Sequence, residues 1–207
     1  RDLVRSRGLG DVYKRQIIDG GPVGIGIEST IIDLTEDTPM VLRPGYITPQ
    51  MLSKVLGKEV IIDPGIIAAD DTRKPKAPGM KYKHYAPKAD MAIVDGTRKH
   101  VIAKINELVA SHRDDGKKIA VIATEETKQF YDADVVLSMG SRADEDSIAH
   151  ELYRILRDCD ELDVDVIFSE SFSTPRIGQA IMNRMLKAAG HQVIDTHVKY
   201  DLSLIHI

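Results

Sequence analysis

Met91-Ala92-Ile93-Val94 and Ile119-Ala120-Val121-Ile122-Ala123 are short runs that are apolar throughout, and between them Val101, Ile102, Ile105, Leu108 and Val109 recur at helical spacing. A strand that is apolar on both of its faces belongs inside a covered sheet. Further along, the alternation continues. Residues 135–139 form a third apolar run, 146–159 a helical pattern with Ile148, Ala149, Leu152, Ile155 and Leu156 on one stripe, and 164–168 a fourth strand. Residues 125–131 predict a short helix, 177–189 a helix closed by Gly190, and 192–196 a final strand. Strands interleaved with amphipathic helices in this way imply a parallel sheet with helices on both faces, a Rossmann-like three-layer α/β unit. The glycine fingerprint for dinucleotides is missing, because the first strand is followed by Asp95-Gly96-Thr97-Arg98-Lys99 with one glycine. Hydride transfer on a nicotinamide cofactor is therefore not expected.

Upstream the pattern differs. Residues 17–34 are punctuated by glycine and rich in β formers, residues 35–39 carry a turn signal, and Met40-Val41-Leu42-Arg43 returns as a second strand of a hairpin. Thr48 as N-cap, Pro49 as first helical residue and Gly57 as terminator bound a short helix with Met51, Leu52, Val55 and Leu56 on one face. After Val60-Ile61-Ile62, residues 63–90 turn rich in proline and charge, which marks a boundary. The expected division is 17–62, a linker at 63–90, and the parallel α/β unit at 91–201.

Both ends stand apart. Asp11-Val12-Tyr13-Lys14-Arg15-Gln16 is the translation of GAT GTG TAT AAG AGA CAG, and Leu202-Ser203-Leu204-Ile205-His206-Ile207 is the translation of its reverse complement. That word resembles the end of a transposase-based sequencing adapter, so residues 1–16 and 202–207 are expected to be adapter-derived rather than native.

The chain carries 32 acidic and 28 basic side chains, and five of the basic ones fall in residues 1–16. Coating nucleic acid or a membrane surface takes a basic face, which this balance does not provide. Cys159 is the only cysteine, which rules out a disulfide within the chain, suits a reducing cytoplasm and makes a helix-packing role the expected one. His100, His112, His150, His191 and His197 show no metal-ligand spacing. No apolar run approaches the roughly 20 residues of a membrane span.

Three segments have residue types suited to anionic ligands. Glu28-Ser29-Thr30 lies in the first strand of the hairpin and Arg43-Pro44-Gly45 ends the second, so the hairpin is expected to bring a hydroxyl and a guanidinium to the same end of one cleft. Lys81-Tyr82-Lys83-His84-Tyr85-Ala86-Pro87 concentrates two Tyr, a His and two Lys in a stretch that its prolines keep from being helix or central strand. It is expected to act as a lid, with Tyr82 and Tyr85 stacking on a purine or ribose, His84 hydrogen-bonding, and Lys81 and Lys83 meeting phosphates. Ser169-Glu170-Ser171-Phe172-Ser173-Thr174-Pro175 follows the fourth strand at the carboxyl edge, where it is expected to be an ordinary lead-in to a helix.

Taken in order, Asp19-Gly20-Gly21, Gly26-Ile27-Glu28-Ser29-Thr30, Leu42-Arg43-Pro44-Gly45 and Ala77-Pro78-Gly79-Met80-Lys81-Tyr82-Lys83-His84-Tyr85-Ala86-Pro87, with the closing Gly178, Asn183-Arg184 and Lys187-Ala188-Ala189, resemble the threonylcarbamoyl-AMP synthases of the long, two-domain type. The resemblance implies that residues 17–62 are the tail of an α+β, YrdC-like catalytic domain, joined by an extended linker to the Rossmann-like domain. It implies a nucleotidyltransferase that joins L-threonine, bicarbonate and ATP, with Mg2+, into threonylcarbamoyl-AMP and pyrophosphate, for hand-over to the cytoplasmic machinery that modifies tRNA. Carried over by motif, Ser29 contacts the threonine moiety, Arg43 the ATP phosphates, and Tyr82, His84 or Tyr85 the nucleotide; Glu28, Thr30 and Lys81 flank them. No side chain stands out as a general base. The Lys-x-Arg and Ser-x-Asn segments of the family's nucleotide site belong upstream of Ile17, so the chain alone is expected to be inactive. The alternative is a non-catalytic Rossmann-like binding module whose basic arm meets tRNA or a protein partner, which nucleotide-independent binding of labelled tRNA would favour.

Overall fold

A computed structural model describes residues 21, 24–27, 29–66, 85–172 and 177–197. Its larger sheet has five parallel strands in the order β6-β5-β7-β4-β8: β4 (Asp90–Asp95), β5 (Ile119–Ala123), β6 (Val135–Ser138), β7 (Val166–Glu170) and β8 (Val193–Asp195). Helix α2 (Arg98–Asp114) connects β4 to β5, α3 (Glu145–Glu161) connects β6 to β7, and α4 (Gly178–Ala188) connects β7 to β8.

Side chains of a strand alternate between its two faces, and the core divides accordingly. Ala92, Val94, Val121 and Phe168 meet Val101, Ile105 and Val109 of α2 on one face. Met91, Ile93, Ala120, Ile122 and Ile167 meet Ile148, Leu152 and Ile155 of α3 and Ile181 and Met185 of α4 on the other. The sheet is thus the middle of three layers. Burial of each such Ile, Leu or Met stabilises by about 1.5–3 kcal/mol over exposure, so this double core carries the unit. Cys159 lies in it on α3, 1% exposed. Burial, and then the charges of Asp158 and Asp160, push its thiol up to about 12, as befits a packing residue rather than a reactive one.

The smaller sheet orders β1 (Ile31–Asp33), β2 (Met40–Arg43) and β3 (Ile61–Ile62), with β1 antiparallel and β3 parallel to β2. Helix α1 (Pro49–Leu56) lies between β2 and β3 in the chain; Thr48 Oγ1 accepts from the Met51 N–H at its start, and Gly57 closes it at φ 64°. The expected first strand shortens to β1, because Gly26 sits at φ 74° and the pairing slips between Ile31 and Ile32.

The helix expected at 125–131 is instead one 3-10 turn, Lys128–Phe130. Thr124 and Thr127 divert the backbone there: the Thr124 N–H donates to Thr127 Oγ1 at 3.2 Å, and the Thr127 and Lys128 N–H groups both donate to Thr124 O.

Candidate functional site

The hairpin delivers Ser29 and Arg43 to one place. Arg43 is the last residue of β2 and pairs with Ile31, so Ser29, two residues before β1, lies alongside its side chain. Arg43 Nε donates to Ser29 O and Nη2 to Ser29 Oγ, each at 3.0 Å. The planar fork of the guanidinium suits such a two-point contact. Thr30 does something else, since its Oγ1 donates to Ile47 O at 2.7 Å and so ties the chain after Arg43-Pro44-Gly45 back to the strand. Ser29 is exposed and Arg43 half-buried, which leaves a hydroxyl and a cation together at an accessible edge. Glu28, Lys81, Tyr82 and His84 lie outside the described residues.

Tyr85 is described, and its backbone is in the left-handed region at φ 60°, uncommon for a bulky side chain. Its ring centroid is 4.5 Å from that of Tyr153 on α3, the planes inclined at 53°. Immediately downstream Pro87 is buried, and the Lys88 N–H donates to Asp160 Oδ1 at 2.7 Å, so residues 85–88 are fixed along the same helix.

The carboxyl edge of the parallel sheet holds a network that the sequence did not announce. Successive connections run one way from β4 through β5 to β6 and the other way through β7 to β8, so the direction reverses beside β7, where open sheets form a crevice. Glu170 ends β7 there, 2% exposed. Tyr131 Oη donates to its Oε1 at 2.6 Å and Arg142 Nη2 to its Oε2 at 2.7 Å. Arg142 Nη2 also donates to Ser171 O, and its guanidinium lies 5.5 Å from the Phe172 ring centre. Burial, followed by the hydrogen bond and charge of Glu170, raises the Tyr131 hydroxyl well above the ordinary phenol range, so it acts as a fixed donor. Nearby, burial pushes the Glu126 carboxyl upward, but hydrogen bonds from Ser141, its own backbone, Thr124 and the Arg142 N–H outweigh that and hold it below the usual carboxylate range. Arg142 thus ties the first residues after β7, Ser171 and Phe172, into this network, while residues 173–175 of the expected lead-in lie outside the described residues.

A five-stranded parallel α/β unit without a dinucleotide loop, joined to a small sheet that pairs an arginine with a serine, defines the class of protein. Residues 47–190 match the family described as Threonylcarbamoyl-AMP synthase, C-terminal domain, and the chain belongs to this family. It is 44% identical over 178 residues to the threonylcarbamoyl-AMP synthase of Bacillus subtilis, covering 86% of this chain and 49% of that protein. To its counterpart from Pyrococcus abyssi it is 45% identical, covering 86% and 50%. The chain therefore spans about half the length of these relatives. Among solved structures, P. abyssi Sua5 complexed with L-threonine superposes with a TM-score of 0.77 at 43% identity, covering 86% of this chain and 50% of that one. A P. abyssi Sua5 variant with a histidine and the following tyrosine both changed to alanine gives 0.78 at 41% identity, covering 88% and 50%.

Proposed function

We propose that this chain supplies the hairpin, the linker and the Rossmann-like unit of an enzyme that condenses L-threonine, bicarbonate and ATP into threonylcarbamoyl-AMP with release of pyrophosphate. In this reading residues 17–62 belong to the catalytic domain, 63–90 to the linker and 91–201 to the second domain. The observation that carries it is the Arg43 guanidinium clamped on Ser29 at 3.0 Å through two nitrogens. A threonine carbamate must attack the α-phosphorus of ATP, so the site has to gather anions, offset the charge that builds up and keep water from an unstable mixed anhydride. A serine hydroxyl addresses the threonine moiety and the neighbouring guanidinium the phosphates. Mg2+ would arrive on the phosphates, as it does where a metal is held mainly by its nucleotide.

Two structures of one relative support the assignment. The P. abyssi protein has been crystallised with L-threonine, and its alanine variant removes a consecutive histidine and tyrosine. This chain has one such dipeptide, His84-Tyr85, within the stretch whose Tyr82, His84 and Tyr85 would meet the nucleotide. The product would pass to the tRNA-modifying machinery of the cytoplasm, and no helix among the described residues is long and apolar enough to cross a membrane.

In a full-length synthase carrying this sequence, Arg43→Ala is expected to lower ATP- and threonine-dependent pyrophosphate release by about 30-fold or more, the scale of losing one preorganised charge contact, while circular dichroism stays unchanged. Undiminished turnover would remove Arg43 from the site and the reading with it.

A further inference from the structure

Two pieces of chain distant in sequence, Gly26-Ile27 and residues 85–88, lie along helix α3, and neither belongs to the Rossmann-like core by its own connectivity. Gly26 comes closest: a Cβ placed on it would lie 2.6 Å from Ala149 O and from His150 Cα, and its φ is 74°. Glycine is therefore required twice over, for its conformation and for its backbone-to-backbone approach to the helix. Ile27 packs beside it against the α3–α4 side of the core. The Tyr85 ring rests on Tyr153, one helical turn further along, and the Lys88 N–H is held by Asp160 two turns beyond that. Ala149, Tyr153 and Asp160 stand at i, i+4 and i+11, a single stripe of the helix.

Gly26 and Ser29 are three residues apart, and a chain reaches at most about 3.5 Å per residue. Whatever fixes Gly26 on α3 thereby confines Ser29, and with it the Arg43 guanidinium that grips Ser29. The same helix fixes Tyr85, whose left-handed φ of 60° costs about 1–2 kcal/mol for a non-glycine residue and persists only where its surroundings hold it. We propose that α3 is the gauge of the active site: it sets the glycine-rich segment, held at Ala149 and His150, and the linker tyrosine one helical turn apart, with Tyr153 as the positioning residue beneath that tyrosine. The Rossmann-like unit takes part in the reaction through this helix without touching substrate. Tyr85 keeps 59% of its surface open while it rests there, so the ring that Tyr153 orients can still present a face to a bound nucleotide. This inference rests on the proposed synthase reading, and the test separates the two.

In the present chain, ring-to-ring proton contacts between Tyr85 and Tyr153 and contacts from Gly26 Hα to residues 149 and 150 should appear by NMR. Tyr153→Ala should abolish the first and shift the Gly26 and Lys88 amide signals, and Tyr153→Phe, which keeps the ring, should restore both. In a full-length synthase, Tyr153→Ala should raise KM for ATP and threonine about 3- to 10-fold, the size of one lost aromatic pair, with kcat held within about twofold, and Tyr153→Phe should return KM to its starting value. Gly26→Ala should behave like Tyr153→Ala or worse. If Arg43→Ala is crippled while Tyr153→Ala keeps its KM or leaves the Gly26 signal in place, the gauge is wrong and the synthase reading stands. If Arg43→Ala is also undiminished, both fall.

Discussion

Glu170 shows how a single residue settles the carboxyl edge of the parallel sheet. A carboxylate that is 2% exposed costs several kcal/mol unless its lone pairs are met, and here a phenol and a guanidinium meet both oxygens. Arg142 keeps 38% of its side chain in solvent, so its charge is screened and the pair draws most of its value from satisfying Glu170. Glu170→Ala is expected to destabilise the protein by about 2–4 kcal/mol, because it strands the buried Tyr131 hydroxyl and opens a void, whereas Glu170→Gln should cost about half as much. Urea denaturation of the two variants measures this, and a loss below about 0.5 kcal/mol for the alanine form would show that the network carries no stability. The partners of Glu170 lie 39 and 28 residues away in sequence, in the connections that follow β5 and β6, so no local pattern could reveal them. Ser29 and Arg43 are 14 apart across one hairpin, and there strand pairing alone brings them together, which is why their meeting was legible from the residues.

At the scale of elements, apolar strands and striped helices were the readable part. β4, β5, β6, α2, α3 and α4 all lie within two residues of where periodicity put them, because each buries a face and burial imposes its period. β7 runs two residues later than expected and so carries Glu170 into the sheet, while the 3-10 turn at 128–130 departs from a helix because two threonine side chains outbid a weak pattern. Helix α1 keeps its expected stripe yet buries none of it: Met51 is 46% exposed, Val55 84% and Leu56 39%. Such a contiguous apolar face promotes self-association in water. Val55→Lys is expected to leave the unfolding midpoint within about 0.5 kcal/mol of its starting stability and to suppress concentration-dependent association seen by light scattering. Unchanged association in that variant would mean that the face of α1 is not the adhesive surface.

The whole molecule divides its physical work unevenly. The parallel sheet and its three helices hold most of the buried apolar side chains among the described residues, whereas the smaller sheet contributes Val41 and Leu42, with Val60 just before β3. The proposed chemistry, however, sits on the smaller sheet, and its inventory there is short. Forming an adenylate from ATP and a carbamate means handling a triphosphate and a second anion, which calls for several cationic groups aimed at one point. Among the described residues the hairpin edge offers Arg43, and two of its three nitrogens are taken up by Ser29. One guanidinium so engaged cannot offset the charge that develops as pyrophosphate leaves. The relatives of this chain are about twice the length that it matches, which leaves room for such groups outside the matched half. The chain as it stands is therefore expected to release no pyrophosphate above background with ATP, threonine and bicarbonate, while a full-length synthase carrying the same sequence turns over. Robust turnover by the short chain would show that the linker and the α/β unit themselves supply the missing positive charge, and would move the centre of the reaction from the hairpin to the carboxyl edge of the large sheet.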